Sequence, residues 1–129
     1  MPVTSFNHFN LRAERALLEQ LRDFYVDVVG LRVGDRPPFA FHGYWLYLGE
    51  QAVLHLVDDA AAPRPGEPVR GTFDHVAFTS HDLPAFEAHL KAHGVPYRRT
   101  QVPGRPLAQI FVTDPAGNGV EFNFDLGST

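Results

Sequence analysis

Seven histidines, fifteen carboxylates and no cysteine restrict the chemistry this 129-residue chain can do. Thiolate nucleophiles, disulfides and Cys-rich zinc sites are excluded, so imidazole nitrogen and carboxylate oxygen are left as metal donors. Four of these groups interrupt apolar strand-like runs: His8 in "FNHFNL", His55 in "AVLHLVD", His75 in "FDHVAF" and Glu121 in "GVEFNF". Side chains alternate between the two faces of a strand. Phe9 and Leu11, Leu54 and Leu56, Val76 and Phe78, and Val120, Phe122 and Phe124 therefore take one face of each strand, and the four polar residues the other. Gathering such groups is costly unless they are paired or metal-bound. Imidazole and carboxylate together suit Fe²⁺, Zn²⁺, Ni²⁺ or Mn²⁺, and two His plus one carboxylate is the donor set of non-haem iron. The expected ligands are His8, His55, His75 and Glu121.

The elements that must position them recur twice. "FNHFNLR" (6–12) reads as a strand. "ERALLEQLRDFYVDVVG" has the apolar spacing of an amphipathic helix closing at Gly30, and "LRVGDR", "GYWLYLG" and "AVLHLVD" read as three strands. After "DDAAAPRPGEPVRG", the strand "FDHVAFTS" and the helix "DLPAFEAHLKAHG" follow, the helix with Asp82 as N-cap and Gly94 as C-cap. "VPYRRTQV", "LAQIFVTD" and "GVEFNFD" complete the set, the last two joined through the turn "PAGNG". His8 and His75 lie 67 residues apart, and His55 and Glu121 66 apart, which points to an internal duplication. The expected fold is α+β. Two βαβββ modules, about 5–58 and 72–125, flank a linker at about 59–71 in one domain spanning 1–129. If the mixed sheets curl, their polar face becomes the inside of an open, barrel-like cleft with the helices outside.

A net charge of −4 without a Lys/Arg cluster argues against nucleic acid or an anionic membrane as partner. No apolar run approaches the length of a membrane-spanning helix and the N-terminus does not read as a signal peptide, so a cytoplasmic location is expected. His42, His81, His89 and His93 fall in a loop or around the second helix and read as solvated or capping residues. The segment "PPFAFHGYWLYLG" supplies Phe39, Phe41, Tyr44, Trp45 and Tyr47 as pocket walls for a planar or apolar small molecule. Arg12, Arg36, Arg98 and Arg105 are available to a substrate carboxylate.

The motifs "NHFNL", "VLHLV", "DHVAF" and "DPAGNGVEFNF" in paired βαβββ modules resemble the vicinal oxygen chelate superfamily, which includes glyoxalase I, bleomycin-binding proteins and extradiol dioxygenases. The resemblance covers about residues 5 to 125. It implies a divalent metal, Fe²⁺ first and Zn²⁺, Ni²⁺ or Mn²⁺ as alternatives, held at His8, His55, His75 and Glu121. It also implies a substrate chelating the metal through neighbouring oxygens, and a homodimer. In the glyoxalase I pattern the position of His55 is a Glu ligand and base; in the dioxygenase pattern a histidine near it is the acid/base residue. A neutral imidazole suits proton transfer, so His55 is the catalytic candidate, with a lean to extradiol-type oxygen chemistry. Glyoxalase-type lyase or isomerase chemistry and non-catalytic drug binding are the alternatives. The dioxygenase pattern also has a Tyr where this chain has Phe111, which is placed with the pocket residues.

Overall fold

The computed structural model describes residues 2–62, 64, 66 and 71–127. The chain divides into two compact units, Met1–Pro68 and Val69–Thr129. The first contains β1 (Phe9–Ala13), α1 (Arg15–Phe24) continuing through a π-helical turn (Tyr25–Val29), β2 (Arg32–Gly34), β3 (Gly43–Leu48) and β4 (Gln51–Asp58). The second contains β5 (His75–Ser80), α2 (Leu83–Ala92), β6 (Arg98–Gln101), β7 (Leu107–Thr113) and β8 (Gly119–Asp125). The fold is α+β, with an open four-stranded mixed sheet in each unit.

The sheets share one topology, β1-β4-β3-β2 and β5-β8-β7-β6, with the first and fourth strands of each module parallel and the other neighbours antiparallel. They also share a register. Asn10, two residues after His8, pairs with His55, and Ala77, two residues after His75, pairs with Glu121. A one-residue slip would turn every side chain to the opposite face. Matching offsets therefore place the fourth-strand polar residue on the equivalent face in both units, as the duplicated spacing predicts.

The apolar faces form the cores. Leu17, Leu18 and Leu21 of α1 are buried with Leu46, Leu54 and Leu56 in the first unit. In the second, Phe86 of α2 packs on Phe122 and Phe124, its ring centroid 4.5 and 5.6 Å from theirs. Each such side chain contributes roughly 1.5–3 kcal/mol by leaving water. Gly30 (φ +95°) and Gly94 (φ +66°) end the two helices in the left-handed conformation that a residue without Cβ adopts at low cost. Asp82 caps α2 as expected, its carboxylate accepting from the Ala85 N–H at 3.2 Å.

Two expectations differ in detail. The strand expected over 6–12 begins at Phe9, because the Gln51 side-chain amide donates to the carbonyls of Phe6 and Asn7 and takes the acceptors a longer ladder would use. His8 consequently sits on the approach to β1. The linker expected at 59–71 includes residues 63, 65 and 67–70, which lie outside the described residues. Among the described residues no helix is long and apolar enough to cross a membrane.

Candidate functional site

In the second unit the turn before β8 fixes the position of Glu121. The buried Asp114 carboxylate accepts from the N–H groups of Ala116 and Asn118, both at 2.9 Å, and from the Asn118 amide at 3.1 Å. The Asp114 N–H donates to the Asn118 carbonyl at 2.8 Å. This closes "DPAGNG" into a rigid loop ending at Gly119. A Cβ on Gly119 would lie 2.7 Å from the Asp74 carbonyl and 2.9 Å from the His75 Cβ. Glycine is therefore what lets β8 approach β5 beside His75, and the ladder then carries Glu121 to it.

Glu121 is 8% exposed, and its two oxygens have different neighbours. Oε2 accepts from the Asn123 amide at 2.8 Å and from Gln109 at 3.3 Å; Gln109 in turn contacts Asn123 Oδ1 and accepts from the Thr100 hydroxyl, each at 3.3 Å. Oε1 lies 3.3 Å from His75 Nε2. The other ring nitrogen, His75 Nδ1, lies 2.8 Å from Asp74 Oδ2. In the tautomer that donates Nδ1–H to Asp74, a neutral imidazole turns its Nε2 lone pair towards Glu121 Oε1. Two acceptor atoms facing each other require a proton or a cation between them. A carboxylate on the far nitrogen is also how metal-ligating histidines are oriented. The donor set of this pair fits a divalent metal.

In the first unit His8 repeats the anchoring device, its Nδ1 lying 2.7 Å from the side-chain oxygen of the preceding Asn7. The partner differs. The His8 and His55 rings stack with centroids 3.7 Å apart and planes 14° apart, and His55 stacks on Trp45 at 4.1 Å and 9°. Burial, the neighbouring His8 and the Arg36 charge hold the His55 pKa below its ordinary value, against a hydrogen bond to the Ala52 backbone that raises it. A proton is thus disfavoured on His55, which sits in a column of three rings.

The pocket residues separate. Trp45 pairs across the ladder with His55, and Phe111 occupies the equivalent position opposite Glu121, beneath the Arg98 guanidinium at 4.4 Å. Phe39 lies 6.3 Å from Trp45 by ring centroid. Tyr47 points its hydroxyl to the Asp35 carbonyl at 2.6 Å. Tyr44 turns to α1, because it pairs with the core residue Leu56 and donates to Glu19 Oε2 at 2.6 Å while accepting from Arg22 at 2.8 Å. His42, expected to be solvated, reaches the same Glu19 at 3.2 Å. Among the described residues no three His, Asp or Glu side chains form a group able to hold an ion; the donors come as the pair His75–Glu121 and the stack His8–His55. Sequence reasoning missed Asn7, Asp74, Gln109 and Asn123. The strand period was a signal for Asn123, two residues after Glu121 on the same face, and for Gln109, its cross-strand partner.

Two βαβββ units, each with a histidine leading its first strand and a polar residue aligned on its fourth, define a class of duplicated small-molecule proteins. The chain belongs to the Glyoxalase/Bleomycin resistance protein/Dioxygenase superfamily, whose family model matches residues 5–122. It is similar in structure to a glyoxalase family protein from Bacillus anthracis (22% identity, TM-score 0.74, covering 95% of this chain and 96% of that one). A lactoylglutathione lyase from Agrobacterium tumefaciens is similar at 25% identity and TM-score 0.68, with 96% of each chain covered. An antibiotic binding protein from a Streptomyces species matches at 22% identity and TM-score 0.70, over 97% of this chain and 98% of that one.

Proposed function

We propose that the chain is a divalent-metal-dependent enzyme acting on a small molecule that offers two neighbouring oxygens, with a lean to dioxygenase-type oxygen chemistry. The observation that carries this reading is the His75–Glu121 pair: two donor atoms 3.3 Å apart, the histidine anchored by Asp74 and the carboxylate by two amides. His75 and Glu121 would hold the metal in the second unit; in the first, Asn7 occupies His8 Nδ1 and leaves its Nε2 available as a donor. The metal, iron by first choice, would supply Lewis acidity to substrate oxygens when bound. Asp74 keeps the His75 proton on Nδ1. Asn123 and Gln109 hold Glu121 Oε2 so that Oε1 faces His75. His55, stacked between His8 and Trp45, would accept a proton from a substrate hydroxyl and return it. A cytoplasmic homodimer is part of this reading.

A second reading is favoured by one observation. The His8–His55–Trp45 column is a stacking surface, and the Streptomyces neighbour is an antibiotic binding protein, so a non-catalytic small-molecule binder is the alternative. Elemental analysis of protein purified anaerobically without a metal-affinity column separates the two. Near-stoichiometric iron supports oxygen chemistry, with oxygen uptake on catechols as the next assay. Zinc, nickel or manganese moves the assignment to lyase or isomerase chemistry. No metal, and none taken up on addition, establishes the binder.

A further inference from the structure

The loop between β2 and β3 carries a cation that has no carboxylate partner among the described residues. Among the described residues Arg12, Arg15, Arg22 and Arg99 each pair with an acidic side chain: Asp59, Asp58, Glu19 and Glu87. Among the described residues Arg36, like Arg32, Arg98 and Arg105, has no such ion pair, and of these it alone lies over two rings. Its guanidinium instead lies over the rings of Phe39 and Phe41, 5.1 and 5.0 Å from their centroids, and one amino group donates to the Phe41 carbonyl at 2.8 Å. The remaining N–H donors of a planar fork suited to a bidentate carboxylate are left over.

The surface beside that cation is aromatic. Phe39 and Phe41 stack at 5.0 Å and 14° and are 44% and 45% exposed, and Phe39 approaches Trp45, whose indole stacks on His55. The loop is held in shape. Arg36 bonds back to Phe41, Tyr47 bonds to the Asp35 carbonyl, and the Asp58 N–H donates to the His42 carbonyl at 3.0 Å. Gly43 allows the return, because a Cβ there would lie 2.2 Å from the Leu56 carbonyl oxygen. Arg36 is also close enough to His55 for its charge to disfavour a proton on that imidazole.

We infer that Arg36, Phe39 and Phe41 form a subsite for a planar aromatic carboxylate, the acid group meeting the guanidinium and the ring stacking on the exposed aromatic faces. A carboxylate completes the fork at Arg36, and an aromatic ring stacks on these rings where an aliphatic one cannot. The inference deepens the proposed function by naming its substrate class, and rests on the reading of this aromatic face as the one that meets substrate. It does not require the metal.

Trp45 is the single tryptophan and therefore reports on this face. Metal-free full-length protein is titrated with benzoate, benzamide and cyclohexanecarboxylate while Trp fluorescence is followed. Saturable quenching by benzoate is expected, with at least fivefold weaker binding of the other two. Arg36→Gln should weaken benzoate at least tenfold with an unchanged circular dichroism spectrum, and Phe41→Leu should weaken it while keeping the charge. The titration uses metal-free protein, so loss of the metal reading leaves this result standing. Cyclohexanecarboxylate binding as well as benzoate, Arg36→Gln binding unchanged, or no saturable response overturns the subsite.

Discussion

The two units have the same strand order and the same offset between first and fourth strands, yet their open faces carry different chemistry. At the matched fourth-strand position the second unit has Glu121 within a network of amides, and the first has His55 within a column of rings. The residue opposite follows suit: Phe111 sits under Arg98, and Trp45 stacks on His55. Backbone and register are fixed by the apolar faces, where one slipped residue exposes the core. The open faces carry no such constraint and can diverge. One unit presents a hydrogen-bonded carboxylate and the other a stacked imidazole on which a proton is disfavoured. That difference is the basis for giving Glu121 to the metal and His55 to the proton.

The largest effect should separate those two residues. Glu121→Ala should abolish stoichiometric metal binding while the protein stays folded, and His55→Ala should retain metal. Metal analysis after reconstitution and dialysis, with circular dichroism as the fold check, measures both. Full retention in Glu121→Ala would remove that residue from the ligand set. Loss of metal in His55→Ala would make the imidazole a fourth ligand and the comparison one of like with like.

The anchoring residues give a smaller effect. Asp74 and Asn7 each hold the Nδ1 of the following histidine, at 2.8 and 2.7 Å, but one is a carboxylate and the other an amide. Removing an outer-shell partner of a metal ligand typically costs about 10–100-fold in affinity. Asp74→Ala should fall in that range, and Asn7→Ala, which removes a neutral acceptor, should cost less. Competition with a chelating dye reads both. Equal losses would show that the charge on Asp74 contributes nothing.

Much of this contrast was legible in the sequence, for a definite reason. Alternation in "VLHLV" and "VEFNF" fixes which side chains share a face without any knowledge of tertiary contacts, and the glycines and Asp114 of "DPAGNG" announce the turn. What could not be read depends on side chains meeting across loops. Gln51 delays the start of the first strand from more than forty residues away. Tyr44 was placed with Trp45 in the pocket, but neighbours in a strand point to opposite faces and its hydroxyl found Glu19. Arg36 was one of four equivalent arginines until the loop set it over two rings. The π-helical turn after α1 has no counterpart in the apolar spacing, which reads as one helix to Gly30.

The smallest predicted effect tests the comparison on the helix side. Glu19 and Glu87 are each the fifth residue of their helix, and each accepts from a tyrosine and an arginine. The first cluster is tighter: Tyr44 reaches Glu19 at 2.6 Å, whereas Tyr97 and Arg99 reach Glu87 at 3.2 and 3.4 Å. Burial pushes the Glu19 pKa up, but hydrogen bonds with Tyr44 and His42 and the Arg22 charge outweigh it and hold the carboxyl below its ordinary value of 4.5. A carboxyl lowered in the folded state binds protons more readily when unfolded, so its contribution is present above that value and lost as pH falls through the folded one. A hydrogen bond to a charged group contributes about 1.5–3 kcal/mol, and partial exposure brings this cluster nearer about 1 kcal/mol. Tyr44→Phe should therefore lower stability at pH 7 by about that amount, and Tyr97→Phe by less. Urea unfolding from pH 7 down to pH 3 should show the Tyr44→Phe deficit shrinking as Glu19 takes up its proton. A deficit independent of pH would mean that the Tyr44 hydroxyl stabilises β3 through its other partner, Arg22, and not through the Glu19 charge.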